Sequence, residues 1–345
     1  MQQPIRILTD IKGLDQSFQS GIPLVFSYLQ KELGRFQRIR FLASCLHSDL
    51  VIVDTSVDKL MLACALKWAI PFLGFKIVSV DLILRVPKSG VGRVKAFLKR
   101  LLFKQVHRFI LFFKDLRGCV EFYGIGSDRT IYVPFKVNGW EQIQKRLQPT
   151  ADGEYVLCAG RTLRDINTFV EAMRQVDCPG VLLQQRRELL AAHGTSAWSG
   201  ELPSQVKLVI DESDDLETYL DFVGKAQLVV IPRFRTDIAP TGISTYLVAM
   251  ALNKCVIISE GPGANDILTD EAVIVPAEDA AALAGQIRSL WNDAGLRTSV
   301  AARGRAYAAL AGGKDRFHAD ILRASIQSIS NGKQSAVQGD AINFS

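Results

Sequence analysis

The 345-residue sequence has few of the features that mark disulfide-rich or metal-binding proteins. Its six cysteines are scattered and form no Cys-x-x-Cys pair, so we expect reduced, buried thiols. Only four histidines are present, and the acidic run from Asp211 to Asp215 is interpreted as a solvated loop, so no metal is expected. No Gly-x-Gly-x-x-Gly follows the first apolar run, which argues against a dehydrogenase.

Long apolar runs are also missing. Met1 to Asp10 has no apolar signal region. The most apolar stretch, Leu60 to Ile83, is interrupted by Lys67, Pro71 and Lys76 and falls short of the roughly 18 residues of a spanning helix. We therefore expect a cytoplasmic, soluble protein, or one that is attached to a membrane face.

The sequence instead alternates short apolar runs with helical patterns. Runs such as Leu50 to Asp54 and Lys76 to Asp81 are rich in β-branched residues and end in a carboxylate. They are typical of strands that are buried on both faces of a parallel sheet. A polar segment from Pro134 to Gly153 separates two such halves, which predicts two Rossmann-like, doubly wound α/β domains facing a central cleft.

The segment from Ile238 to Ser259 carries the strongest local signal for a ligand. A strand and loop lead to Gly242, which lets the backbone approach a ligand closely, and an apolar helix then runs through Leu252. Ser244 or Thr245 is expected to cap that helix. Its amides and positive dipole end suit an anion such as a diphosphate, and the alternative is an ordinary capped helix.

Several motifs in this half resemble retaining GT-B glycosyltransferases, family four in particular. Ala249 to Ile257 resembles their Glu-Ala-Met-Ala-x-Gly-Lys-Pro-Val-Ile signature, Gly261 to Leu268 their Gly-x-x-Glu-x-Ile loop, and Gly160 to Asp165 their Gly-Arg segment. The motifs follow the family's order from Tyr155 to about Tyr307. The resemblance implies the GT-B fold and transfer of a sugar from a nucleotide diphosphate.

Two positions depart from the family's pattern. Pro240 and Val248 stand where the family has two glutamates, the second of which holds the nucleotide ribose. The Thr-Gly-x-Ser-Thr helix start resembles a divergent branch of the superfamily. Two alternatives stay open: a GT-like nucleotide-sugar epimerase, and a catalytically silent GT-B subunit that binds a partner or a membrane.

The resemblance implies a donor-diphosphate site that uses arginines and a helix dipole, with no metal and no cofactor. Arg233 and Arg235 are weaker candidates for this site. Gly21 resembles the glycine-rich loop beside the donor, and Asp81 is the candidate catalytic residue, orienting a sugar hydroxyl or accepting a proton. The expected diphosphate ligands are Arg161, Arg164, Thr241, Gly242, Ile243 and Ser244.

The resemblance also assigns roles to the two halves. Residues 1–140 would bind the acceptor, and residues 150–313 would bind the nucleotide sugar. The C-terminal helix 314–330 is expected to pack back on the first domain, and residues 331–345 to form a disordered tail. Near the N-terminus, Pro23 is expected to lie at the start of a helix that runs to about Leu33.

Residues 85–108 form the most distinctive stretch of the first half. No acid occurs between Asp81 and Asp115, and Val94, Leu98 and Leu101 recur at helical spacing. Such a basic amphipathic helix lies on anionic membranes, or else packs on the core with a basic outer face. We expect peripheral attachment to the inner face of the cytoplasmic membrane, a lipid-linked or polysaccharide acceptor, and no nucleic-acid partner, because stacking aromatics are missing.

Overall fold

The computed structural model describes residues 3–16, 21–29, 34–146, 153–213, 215–236 and 238–330. The chain divides into two compact units. Unit 1 contains the residues up to Leu111, Cys119–Val133 and the segment from His318, and unit 2 contains Phe112–Gly118 and Pro134–Phe317. The expected tail, residues 331–345, lies outside the described residues.

Unit 1 is built on a six-stranded parallel sheet with the strand order β2-β1-β3-β4-β5-β6. The inner strands are buried apart from residues at their ends, as expected for a sheet that is covered on both faces. The strands are β1 (Ile5–Thr9), β2 (Leu24–Tyr28), β3 (Leu50–Asp54), β4 (Lys76–Val80), β5 (Arg108–Leu111) and β6 (Thr130–Tyr132).

Four helices follow the strands of this sheet. Ser56 and Ser89 start the second and third by accepting hydrogen bonds from the amides of Lys59 and Gly92. The helices are α1 (Arg35–Leu46), α2 (Val57–Ala69), α3 (Gly90–Leu102) and α4 (Arg117–Tyr123).

The expectation of a helix starting near Pro23 is wrong. Leu24 to Tyr28 form strand β2, which pairs with β1 in parallel at the edge of the sheet. Proline is compatible with a position just before an edge strand, because its missing N–H is not needed there, and its carbonyl accepts from the Ile5 amide at 2.9 Å. Val25, Phe26 and Tyr28 are β-branched or aromatic residues, which favour a strand. The helix of this region begins later, at Arg35.

Unit 2 contains a second six-stranded parallel sheet with the order β12-β11-β10-β7-β8-β9. The two parallel sheets and their helices confirm the α/β class. The strands of unit 2 are β7 (Tyr155–Cys158), β8 (Gly180–Gln185), β9 (Val206–Asp211), β10 (Ala226–Ile231), β11 (Cys255–Ser259) and β12 (Val273–Val275).

Four helices of the second half begin at aspartates. Asp165, Asp215, Asp279 and Asp293 each accept a hydrogen bond from a first-turn amide. The helices are α5 (Trp140–Lys145), α6 (Ile166–Met173), α7 (Arg187–Ala192), α8 (Leu216–Lys225), α9 (Ile243–Ala251), α10 (Ala280–Asn292), α11 (Ala294–Ala311) and α12 (Lys314–Ser330).

Two general features of the chain complete the fold. All six cysteines lie among the described residues, where they are buried and form no disulfide. Among the described residues, no helix combines the length and the hydropathy that crossing a membrane requires.

Candidate anion-binding site at the start of α9

Two arginines follow the central strands of unit 2. Arg164 comes after β7 and Arg233 directly after β10, and these two strands are neighbours in the sheet. The backbones of the two arginines pair in an isolated antiparallel bridge. Both guanidinium groups therefore lie at the carboxyl edge of the sheet, the edge at which ligands bind in doubly wound folds.

Arg164 is almost completely buried, with 3% of its surface exposed. Its guanidinium donates to the Ala159 carbonyl at 3.0 Å, to the Thr162 carbonyl at 2.7 Å and to Thr245 Oγ1 at 3.0 Å. A Cβ at Gly160, where φ is +110°, would lie 2.4 Å from Arg164 Nη2. The glycine thus makes room for a guanidinium that fastens the loop after β7 to the first turn of α9.

Arg233 is buried even more completely, with 1% exposed. Its guanidinium donates to the Ser259, Thr241 and Pro262 carbonyls at 2.6–3.1 Å, which joins the end of β11 to the segment before α9. Burial, and next the positive charge of Arg164, lowers the pKa of Arg233 to about 10. Arg233, a weaker candidate from the sequence, therefore lies inside the site and holds two of its segments together.

The hydrogen bonds of these two guanidiniums go to neutral oxygens. In the described ranges, no carboxylate hydrogen-bonds to Arg164 or Arg233. Burial opposes the charge of both guanidiniums, and the carboxylates of Asp266 and Glu260 offset this only in part for Arg233. An anion that binds beside the two groups therefore gains free energy.

The start of α9 presents further donors. Gly242 precedes the helix with a φ of +92°, and no side chain in the described part of the chain caps the helix, so the expectation that Ser244 or Thr245 caps it is wrong. The Ser244 hydroxyl accepts from Asn138 Nδ2 at 2.7 Å, and Thr245 accepts from Arg164. Because the side chains are engaged elsewhere, the first amides of α9 remain for a ligand.

Thr241 stands out within this segment. Only 3% of its surface is exposed, and its hydroxyl has no hydrogen-bond partner among the described residues. A buried, unpartnered hydroxyl is uncommon because it loses hydration without compensation. Its position just before Gly242 is consistent with a hydrogen bond that forms only when a ligand is present.

The other arginines near this edge differ from each other. Arg161 is exposed directly after Gly160. The backbone amide of Arg235 donates to the Glu278 carboxylate at 3.2 Å, and its guanidinium lies 3.7 Å from the Glu260 carboxylate. The two carboxylates near Arg235 compete with an anionic ligand for this side chain.

Val248, at the position of the family's ribose-binding glutamate, lies inside α9. It is 1% exposed and packs in the core of unit 2. Its side chain has no atom that could accept a hydrogen bond from a ribose hydroxyl.

Asp81 lies at the carboxyl edge of the sheet in unit 1. It follows β4, has a φ of +48° and is partly exposed. Burial, and next the charge of Asp54 at the end of the adjacent β3, raises the pKa of Asp81 to about 7. A carboxyl group that titrates near neutrality can exchange a proton during a reaction.

Asp10 and Lys59 were missed by sequence reasoning. Asp10 follows β1; its carboxylate accepts from Lys59 Nζ at 2.7 Å and from the Asp54 amide at 2.8 Å. The strand-end position that pointed to Asp81 could also have indicated Asp10.

Gly21 has open space around it. A Cβ added to this residue would have no other atom within 4 Å, so packing does not require glycine there.

The sequence-predicted residues thus fall into two groups. Gly21 and Asp81 belong to unit 1. The other six lie in unit 2 at the loop after β7 and at the start of α9; they are Arg161, Arg164, Thr241, Gly242, Ile243 and Ser244.

Comparison with known proteins gives matches by structure but not by sequence. The sequence matches no protein-family model and no curated protein. The structure is similar to that of Anabaena HepE in complex with UDP, with a TM-score of 0.64 and 14% identity over 94% of this chain and 100% of that one.

Further solved structures show the same similarity. A glycosyltransferase from Rickettsia africae matches with a TM-score of 0.64 and 13% identity, over 95% of this chain and 99% of that one. Sucrose-phosphate synthase from Thermosynechococcus elongatus matches with a TM-score of 0.59 and 16% identity, over 95% of this chain and 89% of that one. The expected fold is confirmed: the chain has the GT-B fold of these glycosyltransferases.

Proposed function

We propose that the chain is a retaining glycosyltransferase that moves a sugar from a nucleoside-diphosphate donor to an acceptor. The observation that carries the proposal is the anion site in unit 2. Two buried guanidiniums, from which no carboxylate of the described residues accepts a hydrogen bond, lie beside an uncapped helix start and the Thr241 hydroxyl. This combination suits a ligand with two negatively charged phosphates.

In this proposal, the diphosphate accepts hydrogen bonds from the first amides of α9 and from Thr241, and Arg161 contacts it from the exposed side. Arg164 and Arg233 hold the two loops in place and add positive potential. As the bond to the sugar breaks, negative charge grows on the diphosphate, and these fixed groups stabilise that charge without a metal or a cofactor.

The donor is proposed to be a UDP-sugar. HepE has been crystallised with UDP and with UDP-glucose, and it shares the fold of this chain. We therefore place UDP-glucose first among donors to be tested.

The acceptor is proposed to be lipid-linked or a polysaccharide at the inner membrane face, reached through the basic segment 85–108. Asp81 is proposed to orient a sugar hydroxyl or to accept its proton, and a pKa near 7 supports this role. The departing phosphate of the donor can also accept the proton of the acceptor hydroxyl, which agrees with retention of the anomeric configuration.

The test is a panel of nucleotide sugars, assayed for donor hydrolysis and for transfer in buffer containing EDTA. The proposal requires turnover of at least one donor with EDTA present. A silent GT-B subunit is the second candidate, favoured by the buried Val248. Calorimetry separates these outcomes: nucleotide binding without turnover identifies the silent subunit, and neither binding nor turnover refutes both.

A further inference from the structure

Exposed apolar side chains are concentrated on three helices of unit 1. Of the nineteen large apolar side chains that are exposed in the described part of the chain, eleven lie on α1, on α3 and at the end of α2. We call them the three-helix surface. They are Phe36, Ile39, Leu46, Trp68, Ile70, Phe72, Val91, Val94, Phe97, Leu98 and Leu101.

The topology places these helices side by side. The chain moves across the sheet in one direction from β2 to β3, β4 and β5. Because crossovers between parallel strands are right-handed, α1, α2 and α3 lie on the same face of the sheet. Contacts of α2 with both α1 and α3 agree with this arrangement. The exposed residues therefore belong to one continuous face.

On α3, the apolar side chains point away from the core. Ala96 is the buried residue of this helix. At 100° per residue, the stripe that contains Val91, Val94 and Leu98 lies on the opposite side. Arg93 flanks this stripe on one side and Lys95 on the other. A core-packed helix with a basic outer face, the alternative left open by the sequence, is therefore wrong.

Helix α1 repeats this arrangement. Phe41 and Cys45 are buried, whereas Phe36 and Ile39 on the outer side are 83% and 67% exposed. Arg35 and Arg40 flank them, and both are exposed. The sequence pattern had singled out only α3, so α1 was found through the structure.

The charge of this surface is of one sign. Helices α1 and α3 contain no acidic residue, and α2 contains only Asp58, in its first turn. The cations on the three helices are Arg35, Arg38, Arg40, Lys59, Lys67, Arg93, Lys95, Lys99 and Arg100; of these, Lys59 is buried and paired with Asp10. A second copy of the chain would bring like charges face to face, so self-association is disfavoured.

We infer that the three-helix surface docks on an anionic lipid bilayer, with its apolar side chains in the interface and its cations at the lipid phosphates. Amphipathic helices bind bilayers in this way, and aromatic side chains favour the interface. Trp68 and Phe72, at the end of α2, are 67% and 95% exposed. The inference deepens the proposed function, on which it rests for the lipid-linked acceptor.

The experiment is cosedimentation of the full chain with phosphatidylcholine vesicles that contain or lack phosphatidylglycerol. We expect binding only to the anionic vesicles. Replacing Arg35 and Arg40, or Arg93 and Lys95, by glutamine should weaken binding roughly 25-fold, at about fivefold for each cation near the surface. The matched control replaces the exposed Lys207 and Arg305 of unit 2 by glutamine and should bind as the wild type does.

Apolar insertion is tested separately. Phe36→Ser and Phe72→Ser should weaken vesicle binding, whereas Leu310→Ser, an exposed residue of unit 2, should not. Brominated lipids should quench Trp68, and Trp68→Phe should abolish this quenching because Trp140, Trp198 and Trp291 all lie in unit 2.

Three outcomes would overturn the inference. One is vesicle binding that the variants of α1 and α3 leave unchanged. Another is absence of binding to either kind of vesicle. The third is a dimer in the ultracentrifuge that the same variants dissociate. Calorimetric titration of these variants with UDP distinguishes failure of this inference from failure of the proposed function. The variants should bind UDP as the wild type does, because the helices lie in unit 1 and the anion site in unit 2.

Discussion

Removing the buried hydroxyl of Thr241 should have opposite effects on the stability of the fold and on ligand binding. A buried hydroxyl without a partner costs roughly 1–3 kcal/mol of free energy. Thr241→Val keeps the shape of the side chain and removes that hydroxyl, so we expect the folded state to gain about 1 kcal/mol. If the hydroxyl donates to the donor diphosphate, the same change should cost about 1.5–3 kcal/mol in binding, or roughly 10- to 150-fold in Kd.

Urea unfolding followed by tryptophan fluorescence measures the first effect, because three of the four tryptophans lie in unit 2. Calorimetric titration with UDP measures the second. Thr245→Val is the matched control: its hydroxyl accepts from Arg164 Nη2 at 3.0 Å, so its loss should destabilise unit 2. A Thr241→Val variant that is less stable than the wild type and binds UDP equally well would refute the reasoning.

Three further predictions concern single residues. Gly160→Ala should lower the free energy of unfolding by about 2 kcal/mol or more, because the new Cβ meets the Arg164 guanidinium. The control Gly285→Ala should be tolerated, because a Cβ on this residue of α10 would meet no other atom. Urea unfolding measures both effects. Arg161→Gln should change stability by less than about 0.5 kcal/mol and yet weaken UDP binding in calorimetry. In NMR titrations the Asp81 carboxyl should titrate near pH 7 and shift downward in Asp54→Asn. Since its folded-state pKa lies above the ordinary 3.8, Asp81 destabilises the fold increasingly as the pH rises from about 4 to 7, and Asp81→Asn should remove that dependence.

The sequence predicted unit 2 well because its motifs and its strand and helix periods agree. The sequence correctly placed Gly242 before helix α9 and the strand at Val256 after it. In unit 1, β2 was mistaken for a helix because Pro23 is compatible with either element, and pairing with β1 decides between them. Strand pairing joins residues that are distant in the sequence, so a local pattern does not reveal it.

The candidate site was predicted by position rather than by contact. Sequence reasoning located Arg164 and Thr241, but it did not show that Arg164 is buried beside Gly160 or that Thr241 lacks a partner. Arg233 was rated below Arg161 because burial after a strand cannot be read from the residue type. On α3, the amphipathic pattern was visible, but which side faces the core depends on how the helix packs.

The central claim is transfer of a sugar from a nucleoside diphosphate with retention. NMR of UDP-glucose incubated with the full chain in EDTA tests it directly, because the anomeric protons of donor and product are resolved. We predict that UDP accumulates and that the released or transferred glucose appears first as the α anomer. A β-configured first product would contradict retention, and absence of turnover with this and every other nucleotide sugar would contradict the transferase itself.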